Sequence, residues 1–206
     1  MVQSLFILNL FMSYKPKNEN VFLTLLHWPV LGKDKKTPII TSFTPLDLHD
    51  IARPARTYEI NTYYIVQPLE AQQEIIKRQI EYWLGEGGDD NPTRRDAVSL
   101  VKVVYTLDEV IEDIISKRGK EPILVGTSAR RYSNTITYRE LSEKIRTERD
   151  KDFLIILGTG HGIVPDLMET FDYILEPIMG AGDWNHLSVR NAAAIILDRL
   201  LSPNRC

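Results

Sequence analysis

The sequence lacks the features that mark disulfide-bonded, membrane-spanning and secreted proteins. Its single cysteine, Cys206, is the last residue, so no internal disulfide can form and a reducing cytoplasm is the expected compartment. The apolar run 5–12 has only eight residues, too few for a membrane span, and it has neither a basic start nor a small-residue cleavage site. We therefore expect no membrane association, and no metal site is predicted.

The amino-terminal residues contain a second candidate start, because Met12 is followed by the polar stretch 13–20. We expect residues 1–20 to form a leader that is extra or poorly ordered, and residues 21–206 to form a single domain. An added edge strand is the alternative for the apolar run.

The chain also lacks an excess of positive charge, since its formal net charge is −3. That total does not indicate nucleic-acid binding, so local clusters matter more. Lys33, Lys35 and Lys36 form one cluster, and arginine pairs occur at 53 and 56, 94 and 95, and 130 and 131. Each cluster taken singly is a solvated surface; one that lies beside a functional site has more significance.

What the chain does contain is a regular alternation of strands and helices. Apolar, β-branched segments predict strands, and 3.6-residue periodicity predicts helices between them. The predicted strands are 21–28, 63–66, 100–105, 123–125, 153–157 and 173–175, with 39–43 either a short strand or irregular. The predicted helices are 69–84, 137–146, 165–170 and 187–201, with further helices after Thr44 and Thr106 and a polar loop at 89–95.

This alternation predicts parallel pairing and a three-layer α/β fold with a mostly parallel sheet. The last helix, 187–201, is apolar almost all round, so we expect it to be buried on more than one side. In such folds ligands bind at the carboxyl ends of the strands.

Three loops at those ends are candidates for a ligand site: 126–131 (GTSARR), 158–163 (GTGHGI) and 176–190 (EPIMGAGDWNHLSVR). Glycine allows the backbone to approach a ligand closely. The 158–163 loop lacks the Gly-Lys-Ser/Thr ending of a P-loop and the Gly-x-Gly-x-x-Gly spacing of a dinucleotide fold. Alone, this loop is better explained as a tight turn between a strand and a helix.

Taken together, the loops resemble a known family. The order of strand, GTGHGI, short helix, strand, EPIMGAG and NHLSVRNAAAIILDRL is similar to the C-terminal half of the SPOUT methyltransferases. Their SpoU-like branch has a Gly-x-x-Gly-x-Gly-Leu loop, then Ile-Pro-Met-x-Gly, then Ser-Leu-Asn-Val-Ser-Val-Ala and a small-residue helix. Here 177–180 resembles the middle motif, and 187–189 with 192–194 resembles the last, in a bacterial branch with an NHLSVR motif.

A second match lies upstream, so the resemblance covers roughly 21–203. The stretch from Asp50 to Arg53 resembles an Asn-x-x-Arg motif whose arginine lies near the target nucleotide. Two departures stand out. The acidic residue of the family's glycine loop is absent, with His161 nearby, and His186 takes the position of the family's asparagine. The base and the substrate position can therefore differ from those of the family.

The resemblance implies a SPOUT fold with a deep C-terminal trefoil knot and S-adenosyl-L-methionine bound in the knot loops. It implies a cytoplasmic homodimer formed through the C-terminal helix. It also implies methylation of a structured RNA substrate, tRNA or rRNA.

The resemblance also assigns site residues. The implied cofactor-binding residues are Thr127, Gly158, Thr159, Gly160, His161, Gly162, Ile178, Gly180, Asn185, His186, Leu187 and Val189. The implied catalytic residues are Arg53, Asp183 and His186, and an imidazole has an intrinsic pKa suited to proton transfer near neutrality. Each has a plainer alternative: turn geometry for the glycines, core packing for the apolar residues, helix capping for Asp183 or Asn185, and a surface ion pair for Arg53. Trp184 can stack on a base or fill a dimer interface.

Two other functions remain open from the sequence. One is a SPOUT-fold RNA-binding protein without catalysis, because the acidic loop residue is missing. The other is a nucleotide- or NAD-binding enzyme with an ordinary doubly wound fold and no knot.

Overall fold

A computed structural model describes residues 17–182 and 184–203. Seven strands form one parallel sheet in the order β5-β4-β1-β8-β6-β9-β7. Its members are β1 (Asn18–Leu26), β4 (Ile60–Val66), β5 (Val101–Val104), β6 (Ile123–Thr127), β7 (Thr135–Ile136), β8 (Phe153–Gly158) and β9 (Tyr173–Leu175). The short strands β2 (Val30–Leu31) and β3 (Pro38–Ile39) form a separate antiparallel hairpin.

The described residues form eight helices: α1 (Pro45–Thr57), α2 (Glu70–Leu84), α3 (Glu86–Asp90), α4 (Pro92–Val98), α5 (Leu107–Arg118), α6 (Tyr138–Thr147), α7 (Pro165–Met168) and α8 (Val189–Leu201). They cover both faces of the sheet. One apolar core includes side chains of α1, α2, α4, α6 and α8, and the other includes side chains of α5 and the segment around α7. The predicted three-layer, mostly parallel α/β architecture is confirmed.

The centre of the sheet explains why the central strands read as continuous apolar runs. Strand β1 pairs with β4 on one side and β8 on the other, with Leu26 opposite Gly158 at the carboxyl end. Both faces of β1 and β8 are covered, so nearly every side chain of 21–26 and 153–157 is buried. This pairing joins the two halves of the chain and brings Leu26 next to the glycine loop.

The prediction of a polar loop at 89–95 is wrong, because these residues contribute to helices α3 and α4. Asn91 caps α4 by accepting a hydrogen bond from the Arg94 amide at 3.1 Å, and Pro92 occupies the first turn. The Arg94 guanidinium lies 4.4 Å from the centroid of the Trp83 ring. A cap and a cation–π contact thus stabilise helices in a segment with little apolar periodicity.

Several boundaries also differ from the sequence-based predictions. Strand β1 begins at Asn18 rather than at 21, so residues 18–20 of the predicted leader belong to the sheet. The predicted leader's residues 1–16 lie outside the described residues. Strand β7 was not predicted, because two residues carry no periodic pattern. Within 17–182 and 184–203, no helix combines the length and hydrophobicity needed to cross a bilayer.

Helix α8 is less uniformly apolar than its sequence suggested. Its buried side is formed by Ala193, Ile196, Leu197 and Leu200, which pack in the core shared with α1 and α6. Its opposite side carries three exposed polar residues, Asn191, Asp198 and Arg199. Burial of a second side of this helix, as in a dimer, stays a prediction.

Candidate active site

The three glycine-containing loops meet at one cavity. Strands β8, β6 and β9 are neighbours in the sheet, so the loops that follow them leave from the same edge. The cavity has a volume of about 570 Å³, within the range usual for small-molecule sites. All three loops contribute lining residues, and so do the hairpin, the start of α1 and the first turns of α8.

The glycine loop after β8 depends on glycine at specific positions. A Cβ atom on Gly158 would lie 2.6 Å from Ile163 Cγ1, so only glycine allows the loop to close over Ile163. Gly160 and Gly162 have φ angles of +60° and +105°, which disfavour residues with a side chain. Because these three positions are glycine, the loop presents its backbone to the cavity.

Thr159 attaches this loop to the amino-terminal half of the chain. Its amide and its hydroxyl both donate to the Leu26 carbonyl, at 3.2 Å and 2.9 Å. Its hydroxyl also shares a hydrogen bond with that of Thr41, which lies 3.0 Å from His27 Nδ1. Thr41 and Thr159 line the cavity, so this hydrogen-bonded chain holds one of its walls.

His27 is the buried end of that chain. Its side chain is fully buried, and its Nε2 atom has no hydrogen-bond partner among the described residues. Burial lowers the pKa of His27, and the negative charge of Asp47 opposes the shift only in part. The neutral imidazole is consequently the form that fits this position.

A second set of contacts joins the other two loops. The Asn185 side chain, in the loop before α8, donates to the Ala129 carbonyl at 3.2 Å in the loop after β6. Ile178, Leu187 and Val189 line the cavity from the same segment. Together with Leu157, Leu175 and Ile196 they form an apolar wall, and the wall suits a flat aromatic group.

Asp47 is a lining residue that the sequence analysis missed. It is only 5% exposed, and its carboxylate accepts hydrogen bonds from the Thr44 amide at 2.9 Å and hydroxyl at 2.8 Å. Arg190 lies 3.6 Å from Asp47 and 3.4 Å from Asp50. The Thr44-Pro-Leu-Asp47 pattern, a helix start with an acid at its third residue, was the signal that could have identified it.

The cavity brings together most of the predicted cofactor-binding residues. The lining includes Thr127, Gly158, Thr159, Gly160, His161, Gly162, Ile178, Asn185, His186, Leu187 and Val189. Gly180 is not part of the lining. The hydroxyl of Thr127 donates to the Ile156 carbonyl at 2.9 Å, so this group is used within the sheet.

The predicted catalytic residues do not all lie at the cavity. The exposed His186 lines the cavity, and its ring lies edge-on to Trp184, which is 79% exposed, with centroids 6.2 Å apart. Arg53 is exposed on α1 and does not line the cavity. Asp183 lies outside the described residues.

Comparisons with known proteins identify the family to which the chain belongs. The model of a family described as SAM-dependent RNA methyltransferase matches residues 20–202. A protein of Aquifex aeolicus with the name "Uncharacterized protein" is 67% identical over 190 residues, which is 92% of this chain and 92% of that one. A tRNA (guanine-N(1)-)-methyltransferase of Oleidesulfovibrio alaskensis is 40% identical over 183 residues, covering 88% of this chain. The match covers only 42% of that relative, so the chain spans less than half of its length.

Solved structures agree on the fold. The crystal structure of the A. aeolicus TrmH/SpoU tRNA modifying enzyme superposes with a TM-score of 0.52 at 15% identity, over 98% of this chain and 83% of that one. At that identity the likeness concerns the fold alone, whereas the family match extends over nearly all the described residues. The chain therefore belongs to the family of SAM-dependent RNA methyltransferases, and its C-terminal motifs resemble those of the SPOUT class.

Proposed function

We propose that this chain transfers a methyl group from S-adenosylmethionine to a nucleotide of a structured RNA, either tRNA or rRNA. The observation that carries the proposal is the convergence of the loops after β6, β8 and β9 on one cavity. A family match over residues 20–202 supports the cofactor and the reaction class.

The residues present fit the cofactor. The apolar wall that includes Ile178, Leu187 and Val189 suits an adenine ring, and glycine backbone at 158–162 allows close approach. Thr159 and Asn185 supply polar groups at the same cavity. These features combine one flat apolar surface with a few fixed polar contacts, as an adenosine derivative requires.

The chemistry demands little covalent participation from the protein. S-adenosylmethionine supplies a methyl group already activated by its sulfonium. The chain's task is to hold the nucleophilic atom of the RNA in line, which is worth about 7–11 kcal/mol in well-oriented reactions. We assign proton removal to His186, because it lines the cavity and is exposed to an incoming substrate. Asp183 is the neighbouring candidate for this role.

Arg53 has a different role in the proposal. Because it is exposed and lies outside the cavity lining, it suits contact with RNA phosphate or the target base rather than with the cofactor. The first turn of its helix, at Asp47, lines the cavity, so an RNA bound along α1 would reach the site.

We do not infer the methylated atom of this chain's substrate from the names of its relatives. The guanine-N1 activity named for the Oleidesulfovibrio alaskensis protein belongs to a chain of which this one matches 42%. Our proposal is accordingly limited to tRNA or rRNA as the substrate class.

The proposal includes a C-terminal trefoil knot and a cytoplasmic homodimer. In support of the knot, the motifs at 177–180 and 187–189 resemble those of the knotted half of the SPOUT methyltransferases. In support of a dimer through α8, Leu187 before the helix is 41% exposed, and Ile195 and Leu201 are only partly covered. A second copy packing there would bury these side chains.

Calorimetry with S-adenosylmethionine, followed by transfer of radiolabelled methyl to RNA from a strain that lacks the gene, tests the proposal. We expect cofactor binding and label at one type of nucleotide, identified by mapping. Cofactor binding without transfer to tRNA or rRNA would contradict the proposed reaction. Absence of cofactor binding would instead support an RNA-binding protein without catalysis.

A further inference from the structure

The hairpin formed by β2 and β3 is attached directly to the glycine loop of the cavity. The Leu31 amide donates to the Gly162 carbonyl at 2.8 Å, and the His161 amide donates to the Leu31 carbonyl at 3.1 Å. A bridge between Val30 and Ile163 continues this pairing. The tip of the hairpin, residues 32–37, therefore has a fixed position at the rim of the cavity.

The tip has a strong positive charge in a chain whose net charge is −3. It carries three exposed lysines, Lys33, Lys35 and Lys36, and a single acid, Asp34. No residue within 17–182 and 184–203 forms an ion pair with any of these lysines. The three ammonium groups are thus available to an anionic partner.

Asp34 forms no ion pair with the lysines, because its carboxylate is used inside the turn, and its negative charge leaves the tip with a net charge of +2. It accepts hydrogen bonds from the Thr37 hydroxyl, from the Thr37 amide at 2.9 Å and from the Lys36 amide at 3.0 Å. The Thr37 hydroxyl is the largest cause that lowers the pKa of Asp34 to about 2. The acid organises the backbone and leaves the lysine side chains directed to solvent and to the cavity.

Lys35 connects the charged tip with the cavity. Its φ angle is +56°, a left-handed conformation that glycine or asparagine adopts more easily. Its amide donates to the Gly32 carbonyl at 2.9 Å, and the residue lines the cavity. Arg130, on the loop after β6, lines the same cavity. Positive groups from two separate elements therefore lie at this site.

We propose that the tip of the β2–β3 hairpin, through Lys33 and Lys36 with Lys35 at the cavity, binds the phosphate backbone of the RNA substrate. This inference rests on the proposed function for the identity of the polyanion. Phosphate contacts determine how RNA is placed, and they give little sequence selectivity. The hairpin would align the RNA backbone next to the loop that holds the cofactor.

The experiment replaces Lys33 and Lys36 together by glutamine and leaves Lys35, a cavity residue, unchanged. Binding of unfractionated bacterial tRNA is measured at several salt concentrations. We expect affinity to fall on the order of tenfold at low salt, and the slope of log K against log salt to become shallower by about 1.4 to 1.8. The affinity for S-adenosylmethionine alone should stay unchanged, because neither lysine lines the cavity.

Two controls complete the test. The Lys120→Gln/Lys151→Gln variant removes two exposed charges at the opposite edge of the sheet, before β6 and β8, and should keep the wild-type slope. The Lys33→Arg/Lys36→Arg variant keeps both charges and should restore binding. An unchanged slope in the hairpin variant, or an equal loss in the Lys120/Lys151 variant, would overturn the inference.

The same experiment separates this inference from the proposed function. Methyl transfer is scored independently of tRNA binding. If the wild type bound tRNA through the hairpin but transferred no methyl group, the proposed reaction would fail and the hairpin contact would stand. If it transferred methyl groups while the hairpin variant kept full affinity and slope, only the hairpin inference would fail.

Discussion

The hydroxyl groups of Thr41 and Thr159 share a hydrogen bond although the two residues are 118 positions apart. Thr159 belongs to the glycine loop, and Thr41 follows the lysine-bearing hairpin. The contact therefore joins the glycine loop of the cavity to the segment that leads into α1. Its removal should affect both the stability of the fold and the shape of the cavity.

Thr159→Val removes this bond and the 2.9 Å bond to the Leu26 carbonyl while keeping the side-chain shape. We expect a loss of about 1–3 kcal/mol in the free energy of unfolding, because partly buried polar groups lose their partner. Cofactor affinity should fall as well. Urea denaturation and calorimetry measure the two effects.

The matched control for that variant is Thr170→Val. The Thr170 hydroxyl donates to the Leu167 carbonyl at 2.8 Å on the exposed surface. Its loss should cost less than about 0.5 kcal/mol and leave cofactor binding intact. Equal effects of the two substitutions would show that the Thr41–Thr159 contact has no special role.

Gly160→Ala should weaken cofactor binding strongly. The φ angle of +60° disfavours alanine by about 1–2 kcal/mol. The added Cβ would also lie 3.0 Å from the Leu31 carbonyl oxygen. Gly119→Ala is the control, since Gly119 has a φ angle of +81° at the end of α5 and open space around it. Both variants should lose stability in urea, and only Gly160→Ala should lose cofactor affinity by calorimetry.

His186→Ala tests the proposed base. We expect the turnover rate to fall by about 10²–10⁴, the usual contribution of general base catalysis, with cofactor affinity within a few-fold of wild type. His161→Ala, in the same cavity, is the comparison. Single-turnover kinetics with saturating RNA provide the measurement, and a wild-type rate for His186→Ala would remove this residue from proton transfer.

Arg53→Ala should reduce the use of RNA without changing cofactor binding, because the side chain is exposed and outside the cavity lining. We expect a higher KM or a lower kcat/KM for RNA. Arg139→Ala, which removes an exposed arginine from α6, serves as the control. Identical KM and rate in Arg53→Ala and wild type would exclude Arg53 from the RNA contact.

The buried His27 predicts a pH dependence of stability. Burial lowers its pKa in the folded state, so the unfolded chain takes up a proton at a higher pH than the folded chain does. Stability should be highest above the unfolded pKa of about 6.5 and decline as pH falls below it. His27→Asn, measured in urea between pH 7.5 and pH 5.5, should show a weaker decline.

A comparison with the wild type isolates the contribution of His27, because His49 also has a lowered pKa, chiefly from burial, and remains in both proteins. An equally steep decline in His27→Asn would assign the pH dependence to other groups.

The layered fold was predictable because its signals are local. The apolar runs at 21–26 and 153–157 and the periodic helices at 69–84 and 137–146 depend on burial patterns visible in the sequence. The segment 89–95 was mispredicted, because its helices depend on the Asn91 cap and on the contact between Arg94 and Trp83. Such a contact involves residues that no periodic pattern connects.

The candidate site was predictable only where a motif marked it. Glycine spacing and family resemblance identified the loops at 126–131, 158–163 and 176–190, and these loops share the cavity. Asp47, Thr41 and Lys35 were missed as lining residues, because they reach the cavity through the pairing of β1 with β8. These residues are far from the three loops in the sequence, so the sequence alone does not show that they lie at the same cavity.

The pairing of β1 with β8 also has a consequence for how the protein is made. The Leu26 carbonyl and the Thr159 hydroxyl that meet beside the cavity are separated by 133 residues. During synthesis β1 emerges long before its partner, and contacts between such distant segments form slowly. The nascent chain can pair β1 with β4 early, but the other edge of this apolar strand stays unpaired until β8 is made, a period in which a chaperone would have an accessible edge to hold.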